Sequence, residues 1–176
     1  MIFTLIGLVV LGVGIAGIIS LVFRLLGRRA PRGLMPIVAG VGMFAFVIWN
    51  DYSWFGRTRD VLPESIRVAE RFTEASPLQP WTYLVAPVNR FSAVDTATVQ
   101  RNPAVPALVL AQIHLVTRYQ STVSRWQLYD CGTPRRADIN GPGDLNPGSL
   151  ESLDWINLES GDTLREIACQ ASPPTA

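Results

Sequence analysis

The chain opens on an apolar run from Ile2 to Phe23 that contains no charged residue. A helix of about 22 residues rises roughly 33 Å, slightly more than the hydrocarbon thickness of a bilayer. A second uncharged run, Leu34 to Asn50, follows a turn segment containing Gly27, Pro31 and Gly33. At about 17 residues it sits near the lower limit for a span. Its far end is marked by Trp49, Tyr52, Trp54 and Phe55, a set suited to a membrane–water interface. Together the runs predict a transmembrane hairpin. The competing reading of the first run is a cleaved signal peptide. No basic residue precedes the run, it exceeds the usual apolar core of such peptides, and no A-x-A site follows, so a retained span is expected.

Within the first span Gly12, Ala16 and Ser20 recur every four residues, and Gly40, Gly42 and Ala45 crowd part of the second. Small side chains let helix backbones approach closely in lipid. The stripes either close the hairpin on itself or dock it onto another membrane subunit.

Beyond the spans the texture changes. Asp60 reads as an N-cap, with Pro63 and Glu64 in a first turn. Leu62, Ile66, Ala69 and Phe72 then recur at helical spacing, which predicts an amphipathic connector helix to about Ala75. Ser76-Pro77 and Gln79-Pro80 end it. Strands are expected over residues 81–86, 90–95, 107–119 and 123–130. In the third, Ala107, Val109, Ala111, Ile113 and Leu115 share one phase, with Gln112, His114 and Arg118 on the other. Gln120-Ser121-Thr122 turns it back into the fourth as an antiparallel hairpin. Residues 140–148 are turn chemistry throughout, Trp155 and Leu158 begin a last apolar patch, and Gly161-Asp162 opens a short helix to Cys169.

The predicted architecture is α+β. It comprises a hairpin over residues 1–55 with spans of about 2–23 and 34–50, and a connector helix over 56–78. A small antiparallel β-sheet domain with a disulfide-tethered C-terminal helix follows over 79–170, then a tail over 171–176.

Charge orients this arrangement. Hydrophobic residues make up 48% of the chain and charged residues 16%, with a net charge of +1. That balance is unlike disordered chains or proteins that bind nucleic acid through bulk charge. The distribution is uneven. Residues 1–50 hold Arg24, Arg28, Arg29 and Arg32 and no acid, whereas the remainder carries all 14 acidic residues and is net acidic. Arginines in short loops stay on the cytoplasmic side, which puts the turn inside and both termini outside. In a Gram-negative bacterium, residues 51–176 then face the periplasm.

Both cysteines, Cys131 and Cys169, lie beyond the spans on the side expected to be oxidising, so a disulfide is expected. It would close a loop of about 39 residues, worth roughly 4 kcal/mol on the chain-entropy model. Neither CxxC spacing nor a metal-ligand set accompanies them.

Arg90-Phe91-Ser92-Ala93-Val94-Asp95 ahead of a long strand, then Tyr129-Asp130-Cys131, Trp155 and a closing Leu164-Arg165-Glu166-Ile167-Ala168-Cys169 resemble the surface-adhesin protein E family of Gram-negative bacteria. The resemblance covers about residues 80–170. It implies an antiparallel sheet with a C-terminal helix tied to it by a disulfide, here Cys131 to Cys169. Members of that family are typically exported or lipid-anchored, and some bind host proteins. This chain differs in carrying a two-span anchor and no lipoprotein cysteine.

Signals for chemistry are sparse. His114 is the single histidine, no G-x-S-x-G surrounds a serine, and no phosphate-cradling glycine loop occurs outside the spans. His114 is read as a strand residue. Asp130 and the pair Asp138 with Asp144 are read as solvated carboxylates, and Arg135-Arg136 as an exposed loop. The expected function is therefore non-enzymatic, without cofactor, metal or nucleic acid. The chain is expected to be an inner-membrane protein contacting lipids and other membrane-complex subunits through a periplasmic interaction domain. An adhesin-like ligand-binding module is the alternative, and an enzyme a more distant one.

Overall fold

A computed structural model describes residues 2–29, 31, 33–101, 105–142 and 153–171. The chain divides into two compact units, Met1–Trp54 and Phe55–Ala176. The first contains helix α1 (Ile2–Leu25) and most of helix α2 (Leu34–Asp60). Both are long and apolar enough to cross a membrane, and only 6% of the apolar window of each is buried. Arg28 and Arg29 lie in the turn between the helices, after Gly27 with its positive φ of 65°. Arg32 falls outside the described residues. The helix α2 continues to Asp60, past the expected end of the span at Asn50, because no Gly or Pro between Trp49 and Arg59 other than Gly56 interrupts it.

The second unit is a six-stranded antiparallel meander. Its strands are β1 (Ile66–Thr73), β2 (Val88–Arg101), β3 (Leu108–Thr117), β4 (Val123–Asp130), β5 (Arg135–Ile139) and β6 (Trp155–Asn157), followed by helix α3 (Thr163–Gln170). They pair in chain order, each with the next. The β3–β4 hairpin forms as expected, with Tyr119 at φ 64° in its turn.

The connector helix expected over residues 56–78 is not present. Its first residues continue α2, and Ile66–Thr73 form β1. A register shift between Val68 and Glu70 inserts Ala69 as an extra residue. That bulge stretches the period-two alternation, so Ile66, Ala69 and Phe72 fall three apart and imitate a helix. The strand expected over residues 81–86 is replaced by a single 3₁₀ turn, Pro80–Tyr83. Pro80 opens that turn with its fixed φ, and Pro77 and Pro87 on either side cannot donate to a ladder.

Both sheet faces are covered, by different means. On one face Val94, Val99, Val109, Ala111, Ile113 and Tyr129 pack with Leu164 and Ala168 of α3. These include Val109, Ala111 and Ile113 from the phase that sequence assigns to the core. The opposite face buries Leu108, Leu110 and Leu128 beneath Trp126, Ile139, Leu153 and Trp155. Farther along that second face Phe55, at the head of the unit, meets Phe91 edge-on with ring centroids 5.4 Å apart. Phe55, grouped by sequence with the interfacial aromatics, thus serves as a packing anchor for the sheet.

Candidate functional site

The disulfide Cys131–Cys169 joins the end of β4 to α3, with Cα atoms 5.8 Å apart. A polar knot surrounds it. Asp130 Oδ1 accepts from the backbone N–H groups of Gly132 at 2.9 Å and Thr133 at 3.1 Å. Its Oδ2 accepts from the Thr133 hydroxyl at 2.6 Å and from Arg135 Nε at 2.9 Å. Burial pushes this carboxyl up, but the donors of Thr133, Arg135 and Gly132 together outweigh it and hold the pKa down at about 2. A carboxylate so saturated with donors holds a turn and has no lone pair left for proton transfer.

Arg165 completes the knot. It donates through Nε to the Asp130 carbonyl at 2.8 Å and through Nη2 to the Cys131 carbonyl at 2.7 Å. Asp162 caps α3 by accepting from the Arg165 N–H at 2.8 Å, just after Gly161 at φ 98°. At the other end, Arg101 Nη2 donates to the carbonyls of Cys169 at 2.6 Å and Ala171 at 3.2 Å, satisfying groups the helix leaves open.

Beside α3 the same sheet face leaves a groove of about 460 Å³. Phe72, Ile113, Leu115, Leu158 and Leu164 give it an apolar side, and Glu70, Arg125, Arg136, Asp138 and Asp162 a charged one. Its polar wall is a chain of hydrogen bonds. The Tyr129 hydroxyl donates to Gln127 Oε1 at 2.6 Å, and Gln127 Nε2 donates to Asp138 Oδ1 at 2.8 Å. Arg136 reaches Gln127 Oε1 at 3.5 Å, while its Nε has no acceptor among the described residues. Burial, the largest influence, raises the Tyr129 phenol above its ordinary range, so it stays a neutral donor. Ser92, also lining the groove, is buried with its hydroxyl unpartnered. An apolar side facing a polar wall can hold an amphipathic side chain or small ligand.

Sequence reading places Arg135-Arg136 in an exposed loop, and the structure puts both on β5. Arg135 pairs with Asp130 at 2.9 Å and lies 4.5 Å over the Trp155 ring, and Arg136 lines the groove. The two diverge because neighbours on a strand point to opposite faces. Asp130 and Asp138 are hydrogen-bonded rather than merely solvated, and Asp144 lies outside the described residues. His114 stands on β3 with Nδ1 2.8 Å from Ser124 Oγ. Among the described residues its Nε2 has no partner, and no carboxylate there orients this pair as the base of a nucleophilic triad is oriented. Among the described residues no three His, Cys, Asp or Glu side chains converge into a metal-binding group.

The small residues of the hairpin separate into two sets. A methyl group at Gly12 would collide with the Met43 side chain, and one at Gly42 with Ile15, so both glycines admit a side chain from the other helix. Ser20 Oγ donates to the Ala16 carbonyl at 2.8 Å and lies 3.7 Å from Met35 Sδ. Gly40 and Gly14 face open space. Gly12 and Ser20 of the first helix's stripe thus meet Met43 and Met35 of the second helix. Arg24 stands in the last turn of α1, and Trp49 on α2 packs against Phe46 with centroids 5.8 Å apart. Tyr52 and Trp54 follow on the same helix.

No family model matches this chain, and neither characterised proteins nor solved structures show a match to it.

Proposed function

We propose that this chain is a membrane-anchored, non-catalytic interaction protein. The hairpin holds the sheet domain on the periplasmic side of a bacterial inner membrane, where the domain serves as an accessory subunit of a larger membrane complex. One observation carries this reading: the apolar side chains of α1 and α2 point outward nearly all round, Leu5, Val9, Val13, Ile18, Ile37 and Val41 among them. Water would penalise that exposure and lipid does not. The arginine-rich turn and the disulfide support the proposed sidedness, since cations favour the cytoplasmic face and disulfides persist outside it.

The groove beside α3 favours a second reading, an adhesin-like module that binds a ligand directly. Fusing a reporter active only in the periplasm tests the common ground. It is expected to work after Ala176 and to fail at Pro31, and the opposite pattern overturns the sidedness. Copurification from native membranes in mild detergent then separates the two roles. Stable companion membrane subunits support the accessory role, and a chain that purifies alone contradicts it.

A further inference from the structure

The segment Ala75–Pro87 between β1 and β2 contains no Asp, Glu, Lys or Arg, and neither do Val88 and Asn89 at the start of β2. Four of its large apolar side chains are turned outward: Leu78 is 89% exposed, Leu84 88%, Tyr83 66% and Val85 63%. Exposure on this scale in a soluble segment calls for a covering surface. The segment is nevertheless tied down. The backbone N–H of Ser76 donates to Thr82 Oγ1 at 2.9 Å, and the Thr82 hydroxyl donates to the Gln79 carbonyl at 2.7 Å. The Gln79 N–H reaches the Ser76 carbonyl at 2.9 Å, and the Thr82 N–H reaches the Gln79 carbonyl at 2.9 Å. With these polar groups satisfied inside, the apolar side chains form the outer surface of an ordered platform.

The position of the platform identifies what covers it. From Leu34 a helix climbs about 30 Å by Trp54, the thickness of the hydrocarbon core. The next residue, Phe55, packs on Phe91, with the Arg71 guanidinium 4.6 Å from its ring centroid. Arg71 pairs with Phe91 across β1 and β2, and the uncharged segment begins four residues farther along, about 13 Å at strand spacing. The platform therefore lies at the end of the sheet where Phe55, the first residue of the second unit, is held against Phe91. Charged residues flank it: Arg90 lies 4.8 Å over Phe72, Arg118 lies 4.6 Å over Tyr119 in the β3–β4 turn, and the Glu74 N–H donates to the Pro87 carbonyl at 3.3 Å. The Arg118 N–H donates to the Asn89 carbonyl at 2.9 Å, which binds that turn to the platform. Outward Leu and Val beside Tyr and Trp, with arginines around them, is the composition of a surface that seats in lipid headgroups.

We propose that the Leu78–Val85 platform inserts into the headgroup and upper acyl region of the bilayer that holds the hairpin, seating the sheet domain on the membrane surface. This rests on the hairpin being a membrane anchor. The test uses the full chain, with its disulfide intact, in nanodiscs of phosphatidylcholine and phosphatidylglycerol. Single cysteines carrying an environment-sensitive fluorophore replace Leu84, Val13 and Glu159; Glu159 follows β6 at the opposite end of the sheet. The Leu84→Cys probe is expected to emit at shorter wavelength than the Glu159→Cys probe and to lose intensity with doxyl-labelled lipids. The Glu159→Cys probe is expected to do neither. A water-like, unquenched signal from Leu84→Cys overturns the proposal while leaving the anchor intact, provided Val13→Cys is quenched. A blue shift at Leu84→Cys without doxyl quenching also overturns it, because a protein surface would then be the cover. Failure of quenching at Val13→Cys removes the anchor, and the proposal with it.

Discussion

The hairpin and the sheet domain place their apolar side chains in opposite directions. In α1 and α2 the aliphatic residues face outward, and contact between the helices depends on Gly12 receiving Met43 and Gly42 receiving Ile15. In the sheet domain Val94, Val109, Ile113 and Tyr129 face inward under α3, and a disulfide with a knot of hydrogen bonds secures the end of the helix. The contrast follows from the solvent proposed for each region. Lipid offers helices no hydrophobic drive to associate, so close approach must come from small residues. Water drives burial in the domain, and the covalent and polar links then fix which parts meet.

The largest expected effect lies in the domain. Replacing both Cys131 and Cys169 by Ala is expected to lower its stability by about 4 kcal/mol, on the order of 15 °C in melting temperature. Scanning calorimetry of the detergent-solubilised full chain should show that loss in the domain transition. An equal loss in the hairpin would contradict the division into two units.

Acid is the next probe. The Asp130 carboxyl falls from an ordinary 3.8 to about 2 on folding. Its contribution, roughly 2 kcal/mol, is complete above the unfolded value and disappears as pH falls through the folded one. Denaturant titrations between pH 5 and 2 should therefore show a progressive loss. Asp130→Asn is expected to be less stable at pH 5 and to have lost most of the acid dependence in that window. A variant that keeps the full acid slope would assign the effect to other carboxylates.

In the hairpin, two glycines provide a matched pair. Gly12→Leu places bulk against Met43 and should destabilise the helix contact by about 1–3 kcal/mol, whereas Gly14→Leu meets open space and should leave it intact. Protease resistance of the loop between the helices in detergent reads the difference. Equal behaviour of the two variants would mean that the Gly12 contact does not hold the hairpin closed.

The smallest effect is at the entrance to α3. Gly161 has φ 98°, so Gly161→Ala forces a side chain into a strained backbone and should destabilise the domain by about 1 kcal/mol. The same calorimetry checks it. A neutral result would show that the turn relaxes without disturbing the Asp162 cap.

The membrane-length helices, the two cysteines and the β3–β4 hairpin are legible in the sequence because each depends on local quantities: run length, cysteine number, period-two alternation. Strand β1 is hidden by the extra residue Ala69, which converts its alternation into a helix-like spacing. Strands β5 and β6 are short, and the arginines of β5 look like a loop until Asp130 and Trp155 supply their partners. The groove left no signal at all. Tyr129, Gln127, Arg136 and Asp138 meet only when β4 and β5 pair.

Sequence alone determined that two stretches are long and apolar enough to cross a bilayer, that the positive charge of the first fifty residues is arginine without any acid, and that two cysteines stand beyond them. Those properties are sums over neighbouring residues and need no partner to be read. The tertiary structure decided which small residues close the hairpin, which sheet face α3 covers, and that the Asp130 carboxylate is fully occupied. It also decided that Leu78, Tyr83, Leu84 and Val85 point outward together. Each of these depends on atoms brought together from distant positions. Burial, pKa and exposure are properties of those surroundings, which exist only once the chain has folded.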